Sequence, residues 1–351
     1  MDLIDIIKLG VDNKASDIHI SRSLPPIYRV DGYLKTIIDQ KIEEEDIREF
    51  TKELLGEDDY RSLFDYKEID FSYTVDSLCR LRINAFLDRG SIAMAIRIIP
   101  SKAIDYKSLG LPPIIEDIID LKSGLVLITG PAGSGKSTTM SSIIELINQK
   151  KPCHIITIED PIEYIYKNKK SIINQREIGM DTKSFLSAIR GALRQDPDII
   201  CIGEMRDSET ISAAINASET GHLVLSTMHT DSIANTISRI IDSFPAQIQN
   251  QIQKRLASSL RIIISQKLLS GKNSGRVLAT EVMVNNNASK NIIRENKIHQ
   301  IDNVLQTGND YNMRTMDQSL IYLYDNNLIH KDILIGDSVD KDYIKKFIWR
   351  G

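Results

Sequence analysis

The chain has 351 residues, 42% apolar and 26% charged, an ordinary globular composition long enough for two domains that each bury a core. Its formal net charge of −4, from 44 basic and 48 acidic residues, leaves no basic excess to follow a nucleic-acid backbone; no nucleic-acid partner is expected. The three cysteines have neither CxxC nor zinc spacing, the N-terminus "MDLIDIIKLG" lacks a basic leader, and no apolar run approaches the ~20 residues that span a bilayer. No zinc is expected, the expected compartment is cytoplasmic, and any membrane association would go through a partner or a surface helix.

Residues 1–100 read as a small α+β domain. "LIDIIKLG" has helical amphipathicity, "SDIHIS" alternates as a strand, and "IYRVDGYLKTI" reads as a hairpin turning at Asp31-Gly32. The acidic stretch "EEEDIREFTKELLG" reads as a helix stopping at Gly56. Strand-like segments follow: "IDFSYTV", "CRLRINAFLD" and "SIAMAIRIIP". In the second of these, alternation puts Arg80, Arg82 and Asn84 on one face and Leu81, Ile83 and Ala85 on the other. Residues 101–121, beginning in the proline-punctuated "PSKAIDYKSLGLPP", read as an interdomain linker.

From residue 122 to 285 strands alternate with helices: "GLVLITG", "CHIITIE", "DIICIGE" and "HLVLSTMH". That texture predicts a mostly parallel sheet covered by helices on both faces. Residues 286–351 read as helical.

The motif "GPAGSGKST" fits G-x-x-x-x-G-K-[ST], lies after an apolar strand and opens a helical segment. Gly133 and Gly135 let the backbone curl around phosphate oxygens, and with Ser134 and Thr138 they place amides at the positive end of a helix. Lys136 can neutralise the β- and γ-phosphates, and the Ser137 hydroxyl can ligate Mg2+. ATP is the expected ligand.

Turnover needs further groups. "IITIEDPIEY" ends a strand with Glu159, Asp160 and Glu163, at the sheet edge where ligands bind in such folds. "IICIGE" presents Glu204 after Gly203, so one carboxylate there takes the duties that a strand-end acid and its neighbour often share. Glu159, Glu163 and Glu204 are therefore the candidate carboxylates for Mg2+ beside Ser137. His229 lies just past "HLVLSTM" and could sense the γ-phosphate; His222, at the other end of that strand, reads as a structural hydrogen-bonding group. Arg80, Arg82 and Arg97 are either cations for a transferring phosphoryl group or strand-surface residues in water.

Taken together, these boxes resemble the secretion-superfamily ATPases, and among them the PilT-type pilus retraction motors, over almost the whole chain. "ASDIHISRSLPPIYRVDG" resembles the family's opening segment, and "RLRINAF" and "AIRIIPSK" its arginine-bearing strands. "GPAGSGKST", "ITIEDPIEY", "LRQDPDIICIGEMRDSETI" and "ETGHLVLSTMHTDS" resemble its Walker A, Asp box, Walker B and His box. The resemblance implies a RecA-like P-loop ATPase domain preceded by a smaller PAS-like domain, assembled as a homohexamer with ATP where the two kinds of domain meet. It implies that Glu204 and Glu163 act on water and magnesium, that His229 belongs to the site and that Arg82 and Arg97 reach the phosphates. It further implies a partner at the inner membrane, a pilus platform protein, through which pilin is released from the fibre.

Retraction motors carry a helix reading "AIRNLIRE"; here residues 288–295 read "ASKNIIRE", keeping Asn291, Ile293, Arg294 and Glu295, with Ile292 beside them. Helical spacing turns Ile292 and Ile293 towards packing and leaves Arg294 and Glu295 outward, as a docking surface or an ordinary helix would. The tail "DYIKKFIWRG" reads as helix packing, with a platform or membrane contact as the alternative. The rival within the superfamily is a compact assembly ATPase for a competence or type II secretion pseudopilus.

Overall fold

The computed structural model describes residues 2–30, 32–75, 78–99, 104–273 and 275–350, with Asn309, Trp349 and Arg350 described by backbone alone. Asp31 of the expected hairpin turn, Pro100 at the end of the expected first domain, residues 101–103 of the expected linker and the tail's Trp349 side chain lie outside that description. The chain divides into two compact units, Met1–Lys102 with Glu163–Ile165, and Ala103–Ile162 with Tyr166–Gly351.

The first unit comprises α1 (Leu3–Asp12), β1 (Asp17–Ile20), β2 (Ile27–Val30), β3 (Tyr33–Thr36), α2 (Glu44–Tyr66), β4 (Glu68–Val75), β5 (Cys79–Asp88) and β6 (Ser91–Ile99). Its strands pair antiparallel in the order β3-β2-β1-β6-β5-β4. Alternation decides the faces: Leu81, Ile83 and Ala85 are buried while Arg82 between them is exposed. The buried face packs Ile18, Leu81, Ile83 and Ile96 against Ile6, Ile7, Ile47 and Leu63 of the two helices. Gly56 does not end α2. It leaves helical geometry, at φ 77° and ψ 172°, and the chain then re-enters a helix reaching Tyr66. Tyr60, Leu63 and Phe64 belong to the core of this unit, so apolar burial carries the helix past the break.

The second unit contains α3 (Ile114–Ile118), β7 (Gly124–Thr129), α4 (Lys136–Lys150), β8 (His154–Glu159), β9 (Ile172–Glu177), α5 (Phe185–Ala192), β10 (Ile199–Ile202), α6 (Ser208–Glu219) and β11 (Leu223–Met228). It continues with α7 (Ile233–Asp242), α8 (Ala246–Ser259), β12 (Leu260–Ser270), β13 (Arg276–Val284), α9 (Asn287–Arg294), α10 (Ile301–Thr307), α11 (Met316–Asp325), α12 (Lys331–Asp337) and α13 (Lys341–Arg350). The sheet order is β13-β12-β7-β11-β10-β8-β9, parallel throughout except for the antiparallel β12–β13 pair. Every residue of β7, β10 and β11 is buried, which explains their largely apolar sequences. One core, with α5 to α10, lies on one face; a second, with α3 and α4, lies on the other. The α/β expectation holds.

The stretch read as linker has a different character after residue 103. A 3-10 turn at Tyr106–Leu109 and α3 bury Tyr106, Ile114, Ile115 and Ile118 in the core on the α4 side. Spaced apolar residues without a strong period still find a face to cover. Among the described residues, no helix is long and apolar enough to cross a membrane.

Candidate active site

The phosphate cradle follows β7, a central strand held between β11 and β12. Its turn uses left-handed backbone at Gly133 (φ 76°) and Gly135 (φ 87°). Around Gly133 a Cβ would meet open space, so φ alone calls for glycine there. Gly130 differs: a Cβ would stand 2.4 Å from the Gln266 carbonyl oxygen and 2.5 Å from Ser134 Oγ, so only glycine fits against β12. α4 then opens on Gly135 with no side-chain cap, presenting its positive end to the cradle. Ser137 and Thr138, both half-buried, occupy its first turn.

Lys136 is only 7% exposed. Its ammonium donates to the carbonyl oxygens of Gly130 and Pro131, each at 2.9 Å, and lies 3.4 Å from His229 Nδ1. The other ring nitrogen of His229, Nε2, lies 3.4 Å from Glu204 Oε2. A neutral imidazole carrying its proton on Nε2 suits both neighbours, accepting from the ammonium and facing the carboxylate with an N–H. Lysine, histidine and glutamate thus form one chain of polar contacts across three strand ends.

The position of Glu204 is set by backbone bonds on both sides. Gly203 donates to Ile158 of β8 at 2.8 Å, and Met205 donates to the Thr227 carbonyl of β11 at 3.1 Å. The Thr227 hydroxyl donates to the Gly203 carbonyl at 2.5 Å. A Cβ on Gly203 would come within 3.3 Å of the Ile158 oxygen, a tight fit that favours glycine before the acid. The Glu204 side chain is 12% exposed, and its Oε1 pairs with Arg206 Nη2 at 2.5 Å.

The other candidates have surroundings of their own. Glu159, at the end of β8, accepts from Thr157 Oγ1 at 2.6 Å and Gln175 Nε2 at 3.1 Å. Asp160 is exposed and precedes a cis peptide bond to Pro161. Glu163 is exposed and lies in the short segment grouped with the first unit. His222 donates from Nδ1 to the Ala217 carbonyl (3.1 Å), with the Thr220 hydroxyl 3.4 Å from the same nitrogen, at the far end of β11. Those bonds fit its structural reading.

In the first unit, strand register aligns Arg29, Asp17, Arg97, Arg82 and Ser72 across five neighbouring strands. Arg97 is 67% exposed and donates from Nε to Asp17 Oδ1 at 3.0 Å; Arg29 Nε stands 4.0 Å from Oδ2. Burial alone would raise the Asp17 carboxyl, but hydrogen bonds from Ser16 and Arg97 hold it below its ordinary value. Arg82 is exposed directly opposite Arg97, and Arg80 donates to Thr74 Oγ1 at 3.4 Å. On α9, Ile292 and Ile293 are buried while Asn291, Arg294 and Glu295 are exposed.

Sequence reasoning missed Arg206, the Thr157–Gln175 bonds to Glu159, and Gln266. Gln266 is fully buried on β12 and donates from Nε2 to the Ser134 carbonyl at 2.7 Å, bracing the cradle from the side. The signal was there: "IIISQKLL" places three polar residues inside an apolar strand, and buried polar groups must find partners. Among the described residues, Thr129 Oγ1, Ser134 Oγ and Gln266 Oε1 are buried without a hydrogen-bond partner, so bonding capacity remains around the cradle.

The sequence matches the family described as type II/IV secretion system protein over residues 2–322. It is 41% identical over 332 residues to the type IV pilus retraction ATPase PilT of Pseudomonas aeruginosa, covering 95% of this chain and 96% of that relative. It is 44% identical over 305 residues to a twitching motility protein of Neisseria gonorrhoeae, covering 87% of this chain and 82% of the relative. The fold matches a crystal structure of the pilus retraction motor PilT with bound ADP at a TM-score of 0.91 and 44% identity, covering 99% of each chain. The chain belongs to the type II/IV secretion system protein family.

Proposed function

We propose that this protein is an ATP-hydrolysing motor of a type IV pilus system that powers pilus retraction, working as a homohexamer on the cytoplasmic face of the cell membrane. The observation that carries this reading is the end-to-end likeness, in sequence and fold, to retraction motors rather than to the nucleotide domain alone. Through an inner-membrane platform protein, hydrolysis draws pilin subunits out of the fibre.

The residues fit the chemistry. The buried Lys136 meets the negative charge of the β- and γ-phosphates, and the amides of residues 133–138 cradle the rest. Glu204 orients and polarises the attacking water, with Arg206 fixing one carboxylate oxygen. His229, between Lys136 and Glu204, links the occupancy of the cradle to the acid that handles water. Arg82 and Arg97 stabilise charge on the transferring phosphoryl group, from this subunit or a neighbour in the ring.

Mg2+ fits this donor set. Such sites use a hydroxyl and one or two carboxylates, with phosphates and water completing the shell, so no dedicated cluster is needed. Ser137 and Glu204 would hold it, with Glu159 and Glu163 as the further candidate carboxylates, and it would supply charge neutralisation at the phosphates.

Two measurements test the reading. Phosphate release by purified protein should be lost in Glu204→Ala. Deletion in the native host should give excess pili that do not shorten; bald cells would instead identify the assembly ATPase, and unchanged pili would overturn both.

A further inference from the structure

The turn that carries His229 is fastened by two strands behind it. Ile233, the first residue of α7, donates its N–H to Glu281 Oε2 at 2.8 Å. Two residues earlier, the Asp231 carbonyl accepts from Ser265 Oγ at 3.2 Å. Ser265 and Glu281 are cross-strand partners on β12 and β13, and Ser265 also lies opposite Thr129, the residue before the phosphate cradle. The turn has its own internal bonds, Thr230 Oγ1 to Thr236 Oγ1 at 2.7 Å and Asn235 Nδ2 to Asp231 Oδ1 at 2.7 Å. It therefore moves as a piece, held at two points.

Glu281 is an unusual group to use for such a hold. It is 6% exposed, and an ionised carboxylate at that depth is costly unless well bonded. Burial pushes its carboxyl up to about 7; the Ile233 amide acts the other way, and Asp302 of α10, Asp317 of α11 and Asp231 of the turn push it further up. Lys267, on the same sheet face two residues along β12 from Ser265, is engaged with Asp337. An amide of the same shape would avoid the cost of the charge.

We propose that Glu281 is a positioning residue for ATP hydrolysis: its carboxylate holds the first turn of α7, and with it His229, in register with Lys136 and Glu204. Protonation weakens the bond to the Ile233 amide and loosens the turn. Among the described residues, no hydrogen bond or ion pair joins Glu281 to the cradle or to the proposed magnesium ligands, and it acts through α7. The inference rests on the proposed role of His229.

The test is steady-state ATPase kinetics of the full chain between about pH 6 and 8.5 for wild type, Glu281→Gln and His229→Ala, with thermal unfolding in parallel. Wild-type kcat is expected to rise through about pH 7. In Glu281→Gln that rise should flatten and kcat at the alkaline end should fall about fivefold, with KM for ATP changed less than about twofold, since the cradle is untouched. Its melting temperature at alkaline pH should equal or exceed that of wild type. A wild-type pH profile in Glu281→Gln overturns the proposal, and so does a loss of kcat that merely follows a lowered melting temperature. Normal turnover in His229→Ala overturns the underlying reading of the site, whereas a defective His229→Ala beside a normal Glu281→Gln overturns only the role of Glu281. If Glu281→Gln does not fold, Ser265→Ala removes the other hold without touching a charge. About a twofold lower kcat with an unchanged pH midpoint supports the proposal, and unchanged kcat overturns it.

Discussion

The two sheets of this protein spend their polar residues in opposite ways. In the second unit the parallel strands are buried on both faces, and the charged groups of the site stand just past strand ends, where Lys136, Glu204 and His229 are locked by backbone bonds and by each other. In the first unit the antiparallel sheet keeps one face more exposed, and one cross-strand row on it brings Arg29, Arg97 and Arg82 together with Asp17. One sheet fixes a few charges at high cost in burial. The other displays several at low cost, and it sets two like charges, Arg82 and Arg97, directly opposite each other. A face built for stability alone would not align Arg82 with Arg97.

The contrast is tested most severely where burial is greatest. Lys136→Ala removes the cradle's cation and leaves the Gly130 and Pro131 carbonyls without their donor; ATPase activity should fall at least about a hundredfold, read as phosphate release. Glu204→Gln should lose a similar factor while still binding nucleotide, measured by fluorescent-nucleotide titration. Retained turnover in either would remove the chemistry from this unit.

Next comes the open face. Arg82→Gln should cost activity, about tenfold or more at saturating ATP, while leaving the melting temperature unchanged or slightly higher, because a like-charge cross-strand contact is relieved. A fall in melting temperature with normal turnover would make these arginines structural.

A smaller effect is expected behind the cradle. Gln266→Leu removes the donor to the Ser134 carbonyl inside a buried site and should cost about 1–3 kcal/mol of stability in denaturant titration, with a raised KM for ATP. Stability lost without a change in KM would show that β12 braces only the fold.

The smallest effect should come from Asp17→Asn. Its partner Arg97 is largely solvent-exposed, so screening limits the loss to below about 1 kcal/mol. Because folding holds the Asp17 carboxyl below its ordinary value of 3.8, the wild-type contribution is present above that value and fades as pH falls through the lower, folded one. The variant should therefore match wild type at strongly acidic pH and differ from it above, by thermal melts.

What could be read from the sequence follows the same division. The cradle was legible because its chemistry is contiguous: strand, glycine turn, lysine and helix come in one stretch. The buried parallel strands were legible because burial on both faces leaves them largely apolar. Arg80 and Arg82 were placed on one strand face by simple alternation, and Arg97 was read only as lying on a later strand. The contributions of Gln266, Ser265 and Glu281 were not, because each works through residues far away in sequence, and a single polar residue in an apolar run does not name its partner. β9, a polar edge strand reading "IINQRE", escaped for lack of either pattern. Gly56 misled in another way: a glycine marks a departure from helical backbone, but tertiary packing decides whether the helix resumes.

α9 and α7 are built into a common apolar core, Ile292 and Ile293 from one with Ile233, Ile237, Ile240 and Ile241 from the other. Close-packed interiors are stiff, so a tilt of α7 of more than a few tenths of an ångström must either open a void or shift its neighbour. The surface formed by Asn291, Arg294 and Glu295 is thus joined, through α8 and α10, to the helix that follows His229 by nothing more specialised than incompressibility.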